Sequence, residues 1–321
     1  MFFFPSLSLL ESSFIAALLL LSLLSLCFIF HLRFKSRTLH QLQNFNSLWA
    51  VRFILVSFIT FWALNELLRL SFFRHHVLLS LFTSPTLSNQ ANLCKIQAVL
   101  SLGFFEPAFL VTLLFLVNVS IKKKTPNGIL VDVIPFVIIT CSPVLIFQII
   151  FVFFAPSSET QLPVFFTRSY VVLSKNGLDD ADDNKLLCAY PLLNTIVFGA
   201  FGIGYSLCFF FSSWKAVSLV INKGLRVRIY RLAFTVLISL PVQILCLGLS
   251  VLWEPEEPAY GGVALVVFIS AFLCAVVGEG ILVISPIKDT LAAGGECCQW
   301  VPGDRSRRRE EGQSPVGYGL V

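Results

Sequence analysis

Charge is what this chain has least of. Asp, Glu, Lys and Arg together make up 13% of its 321 residues, where a soluble domain carries about a quarter. With 56% hydrophobic residues and a mean hydropathy of +0.84, that scarcity excludes a water-soluble core of this size. Histidine is nearly as rare. The four histidines, His31, His40, His75 and His76, form no HExxH motif and no repeated spacing from which a metal centre is built. A Walker-type phosphate loop and a GxSxG nucleophile elbow are also missing. The expectation is a protein that is not an enzyme and that binds no metal, organic cofactor or nucleic acid.

What fills the chain instead is apolar sequence in blocks long enough to cross a bilayer, which takes roughly 20 helical residues. Seven blocks stand out, at about 14–32, 48–72, 94–121, 129–154, 191–221, 232–253 and 263–287. The first lacks the basic leader, short apolar core and small-residue cleavage site of a signal peptide, so it is read as a span. Polar segments separate the blocks, two of them with turn chemistry at Pro85 and at Pro126-Asn127-Gly128. The predicted fold is all-α: a seven-helix membrane domain over 1–287, followed by a tail, 288–321, expected to be disordered.

The basic residues give this bundle a direction. Arg33, Lys35, Arg37, Lys122, Lys123, Lys124, Lys223, Arg226, Arg228, Arg231, Lys288, Arg305, Arg307, Arg308 and Arg309 fall on one side. They are fifteen of the 23 Lys and Arg. Arg69, Arg74, Lys95, Arg168, Lys175 and Lys185 fall on the other. The positive-inside bias then places the N-terminus outside and the C-terminus in the cytosol.

The cysteines follow from that direction. Cys27, Cys141, Cys208, Cys246 and Cys274 lie in spans and read as small apolar residues. Cys297 and Cys298 belong to the tail, where paired cysteines beside the basic run 305–309 are candidates for lipidation that pins the tail to the bilayer; unmodified thiols are the alternative. Cys94 and Cys188 alone remain on the oxidising side, where a disulfide persists. Such a bond would tie the long loop 155–190 across the mouth of the bundle, with two free thiols as the other reading. Within that loop, 164–174 is rich in aromatic and β-branched residues and precedes Asn176-Gly177, which predicts a short hairpin lid. Asp180, Asp182 and Asn184 alternate as in a calcium loop, but Lys185 and Pro191 stand where that motif needs Gly and Glu.

Charges inside the spans are costly, about 2.5–3.5 kcal/mol each on insertion scales, and tend to face the bundle interior. Glu66 and Arg69, three residues apart, share a helix face and can neutralise each other. Arg52, Arg69 and Asp132 lie near enough to an interface to snorkel or hydrate, which explains them without a special role. Glu106 and Glu279 have no such escape. Pro107 follows Glu106 and frees the carbonyl of Gly103, so a kink or loosened turn is expected beside that carboxyl. Glu106, Glu279, Glu66 and Arg69 are therefore the candidate intramembrane polar site, against a reading in which each acid is merely bonded to a neighbouring helix. Gly278 and Gly280 around Glu279 could equally serve close helix approach. Gly199, Gly202 and Gly204 are expected to form such a packing face in the fifth span. Pro143 and Pro241 predict further loosened turns.

The stretch SLWAVRFILVSFITFWALNELLRL at 47–70, together with the seven-span layout, resembles uncharacterised plant seven-pass proteins grouped as candidate G-protein-coupled receptors. The third span ends VNVSIKKK rather than in Asp-Arg-Tyr. The seventh carries Ser285-Pro286 and Lys288-Asp289 where Asn-Pro-x-x-Tyr would sit. The resemblance implies a receptor-like seven-helix architecture; the expectation is a plasma-membrane or endomembrane protein whose outer mouth binds a ligand. Its inner loops, with Lys122, Lys123, Lys124, Lys223, Arg226, Arg228 and Arg231, would meet a cytosolic signalling partner. A ligand-free scaffold or host factor is the alternative, and a proton- or cation-coupled transporter a third.

Overall fold

The computed structural model describes residues 3–38, 48–70, 73, 87–121, 126–154, 166, 169–173, 185–251, 253 and 257–289. Among them are seven helices long and apolar enough to cross a membrane. The first span lies on the helix Phe3–Thr38, longer than the expected 14–32. Pro5 falls in the first turn, where backbone N–H groups have no intrahelical acceptor and proline costs little. Glu11 is thereby drawn into the helix.

The second span is Trp49–Arg69. The third begins at Leu87, earlier than expected, and runs as an α-helix to Leu100, a π-helical turn over Ser101–Phe105 and an α-helix over Glu106–Ile121. The fourth is Pro126–Ile149 with a π turn Ile150–Phe154. The fifth is Leu192–Leu219 and the sixth Lys223–Ser250. The seventh is Pro258–Glu279, continued by a π turn over Gly280–Ile284.

The sixth span starts well before the expected 232. Asn222 caps it, its side-chain oxygen accepting the Gly224 N–H at 2.9 Å, a strong start signal for a helix. Lys223, Arg226, Arg228 and Arg231 therefore stand on the opening turns of a helix and do not form the loop that the sequence suggested.

Successive spans pack on one another, and the first also packs on the seventh, so the bundle closes around the third span. In the third span 72% of the apolar window is buried, against no more than 44% in any other. Its contacts reach the second, fourth, fifth and seventh spans. Large apolar side chains also cover the outside, among them Leu20, Ile139, Phe211, Phe234 and Leu245. A chain apolar both inside and out suits a lipid solvent.

Between the fourth and fifth spans a two-stranded antiparallel hairpin pairs Tyr170–Leu173 with Lys185–Cys188. It adds a small β element to the expected all-α fold. The first strand falls where the sequence placed one. The described pairing runs from Tyr170 with Cys188 to Leu173 with Lys185; Asn176-Gly177, the expected turn, lie outside the described residues. Cys188 ends the second strand and is joined to Cys94 of the third span, with Cα atoms 5.3 Å apart. The hairpin is thus fastened over one end of the bundle, beside the starts of the third and fifth spans.

Candidate functional site

The site begins with a missing hydrogen. Pro107 has no N–H to give the carbonyl of Gly103, and the helix ahead of it widens: the Glu106 N–H donates to the Ser101 carbonyl, five residues back. The loosened turn expected here takes the form of a π turn. Gly103 at its centre lies tight against the fourth span, where an added Cβ would stand 3.1 and 3.2 Å from Cγ and Cβ of Gln148. In a regular helix of 3.6 residues per turn, residues five apart point to different faces. The wider turn puts Ser101 and Glu106 together, with Ser101 Oγ 3.2 Å from Glu106 Oε1.

Around that pair four spans contribute. Trp62 Nε1, on the second, donates to Glu106 Oε1 at 3.1 Å. Gln243 Nε2, on the sixth, donates to Glu106 Oε2 at 2.6 Å. Ser101 Oγ also lies 2.8 Å from Glu66 Oε1, which accepts a further bond from Gln97 Nε2 at 3.3 Å. Arg69 then pairs with Glu66 Oε2 through Nε at 3.2 Å and with Glu11 of the first span through Nη2 at 2.9 Å. Trp62 is stacked on Phe268 of the seventh span, ring centroids 5.9 Å apart, which fixes the indole that serves Glu106.

Ser101 has one hydroxyl hydrogen and two carboxyl oxygens in reach. It can donate to one and accept from the other only if that carboxyl brings a hydrogen of its own. The line Glu66–Ser101–Glu106 is therefore fully hydrogen-bonded only when one of the two carboxyls is protonated. The cluster holds three carboxyl groups and one guanidinium, that of Arg69, which pairs with Glu11 and Glu66. What the arrangement can do chemically is exchange a proton or rearrange its hydrogen bonds.

The cluster connects to the hairpin. Gln97 Nε2 also donates to the Tyr190 hydroxyl at 3.4 Å. Tyr190 lies two residues beyond Cys188, and the intervening Ala189 N–H bonds to the Ser169 carbonyl at 2.9 Å, extending the ladder. Burial, with Glu66 adding to it, pushes the Tyr190 phenol up, so its hydroxyl stays in the hydrogen-bonding form. A continuous path results: hairpin, Tyr190, Gln97, Glu66, Ser101, Glu106, Gln243.

Of the residues singled out from the sequence, the structure brings Glu66, Arg69 and Glu106 together. Glu279 stands apart, against Ser22 of the first span, whose Oγ donates to its Oε2 at 3.1 Å. Gly278 does serve close approach, since a Cβ there would lie 2.8 Å from Leu113 Cδ2 of the third span; Gly280 meets nothing within 4 Å. In the fifth span Gly199 and Gly202 face Ile244 of the sixth, but Gly204 faces no neighbour within 4 Å.

At the end opposite the hairpin, Arg228 forms a two-pronged ion pair with Asp289 of the seventh span. Arg226 donates through Nη2 to the Val220 carbonyl at 2.9 Å. Two of the four basic residues there are thus engaged within the chain. Lys122, Lys123, Lys124, Cys297 and Cys298 lie outside the described residues.

Glu11, Trp62, Gln97, Ser101, Tyr190 and Gln243 belong to the site without having been singled out from the sequence. Gln243 carried a readable signal, a lone amide in an apolar span two residues after Pro241. Among the described residues no group of three or more His, Cys, Asp or Glu is placed to hold a metal.

A family model described as "Uncharacterised conserved protein UCP031277" matches residues 5–297, so the chain belongs to that family. Neither a curated protein nor a solved structure matches it.

Proposed function

We propose that this family member is an integral membrane protein of receptor-like design. A ligand engages the hairpin-capped end, and the response is carried to a partner at the opposite end through the buried polar path. The hairpin end faces outward, in keeping with the bias of Lys and Arg and with a disulfide that persists in an oxidising compartment. The observation that carries this reading is the hydrogen-bonded path from Tyr190, beside the disulfide, to Gln243 on the sixth span. The sixth span also bears Arg228, paired with Asp289, at its far end. A shift of the hairpin thus has a route to the surface where a cytosolic partner would dock.

A second reading draws on the Glu66–Ser101–Glu106 line, in which Ser101 bonds both acids only when one of them carries a proton. That favours a proton-coupled transporter. Labelling sealed vesicles with a membrane-impermeant maleimide separates both readings from an inverted protein. Cys94 and Cys188 should label from outside only, and only after reduction. A melting-temperature screen with small molecules then tests ligand binding, and a proton flux in proteoliposomes that Glu106→Gln abolishes would favour the transporter instead.

A further inference from the structure

The second buried acid is a site in its own right. Glu279, Ser22 and Ser25 have none of their surface exposed. Ser22 and Ser25 stand three residues apart on one face of the first span, and both address the Glu279 carboxyl. Ser22 Oγ donates to Oε2 at 3.1 Å, whereas Ser25 is directed at the carboxyl without reaching hydrogen-bonding geometry. Ser25 Oγ and Glu279 Oε1 are each without a hydrogen-bond partner. Among the described residues no Lys, Arg or His pairs with this carboxyl, and the cluster around Glu106 has its own donors.

A carboxylate buried in apolar surroundings needs a compensating charge. By the seventh span's rise, Glu279 is about 15 Å from the helix end at Asp289, too deep for bulk solvent to supply it. Oxygen ligands with one negative charge suit a hard cation. A univalent ion cancels that charge, whereas a divalent ion would leave a net positive charge among leucines and valines. We propose that Glu279, Ser22 and Ser25 form a sodium-binding site between the first and seventh spans, with the ion seated between Glu279 Oε1 and Ser25 Oγ. It is separate from the Glu66–Ser101–Glu106 line and does not depend on what that line does.

The site lies where the seventh span changes from α-helix to π turn. An ion there would hold the first span against that junction.

The test is the melting temperature of the purified full-length protein in detergent, with sodium chloride against choline chloride at equal ionic strength. Sodium should raise it by about 2–4 °C in the wild type. Glu279→Gln should remove the dependence, and Glu106→Gln should keep it. Ser25→Ala retains the acid and should move half-saturation to higher sodium, which keeps the proposal testable if Glu279→Gln fails to fold. No sodium dependence in the wild type, as expected if a proton alone neutralises Glu279, overturns the proposal. So does a dependence that survives Glu279→Gln or is unmoved by Ser25→Ala.

Discussion

Gln243 of the sixth span donates a 2.6 Å hydrogen bond to Oε2 of Glu106 on the third. Both side chains are buried, so neither has water to fall back on. Loss of the amide leaves a buried carboxyl oxygen unsatisfied, which costs about 1–3 kcal/mol. Gln243→Ala should therefore lower stability by about that much, read as a fall in melting temperature. In a double-mutant cycle with Glu106→Gln, a coupling below about 0.5 kcal/mol would show that the bond carries little.

Arg69 serves two acids at once, Glu11 at 2.9 Å and Glu66 at 3.2 Å. Breaking a buried pair by removing one partner costs about 3–5 kcal/mol, because the remaining charge is stranded. Arg69→Gln strands two, so it should be among the most damaging single changes in the bundle. Adding Glu11→Gln and Glu66→Gln should restore much of the loss. Expression and melting of the triple variant no better than those of Arg69→Gln would contradict this.

Glycine positions give a matched comparison. Gly103→Ala would push a methyl group to within 3.1–3.2 Å of Gln148 atoms near the backbone, inside a π turn, whereas Gly204→Ala meets nothing within 4 Å. Overpacking of the first kind costs about 1–3 kcal/mol. The second should be neutral or mildly stabilising, since alanine favours helix over glycine by about 1 kcal/mol. Thermal melts of the two variants side by side decide it.

Much of this site was legible, and the gaps have physical causes. Glu106-Pro107 announced a loosened turn beside a buried acid, and Glu66 and Arg69 announced a pair on one face. The form of the loosened turn depends on how closely Gly103 meets Gln148, a long-range contact that local sequence does not encode. Glu11 precedes the first apolar block, so hydropathy alone leaves it outside the span; Pro5 is harmless in a first turn, so the helix reaches back and carries Glu11 to Arg69. The basic stretch 223–231 read as a loop by charge, yet Asn222 caps a helix there. Neutral donors such as Ser101 and Gln97 looked ordinary. Their role exists only once the third span is wrapped by its neighbours.

Arg228 and Asp289 tie the sixth and seventh spans at the end opposite the hairpin. Both are substantially exposed, 35% and 57% by side chain, so the pair should add only about 0–1 kcal/mol to stability. Arg228→Ala should shift the melting temperature by no more than a degree or two. Its effect should appear instead as faster amide exchange at the start of the sixth span.

The central claim is that the hairpin end and the far end of the sixth span are linked through buried hydrogen bonds. Hydrogen–deuterium exchange over residues 223–231, compared between wild type and Gln97→Leu, tests it most directly. That substitution keeps a bulky buried side chain but cuts the bonds to Tyr190 and Glu66. The account predicts faster exchange over 223–231 in the variant, without a matching rise in the fourth span, which lies off the path. Unchanged exchange over 223–231 in a variant that remains folded would contradict it.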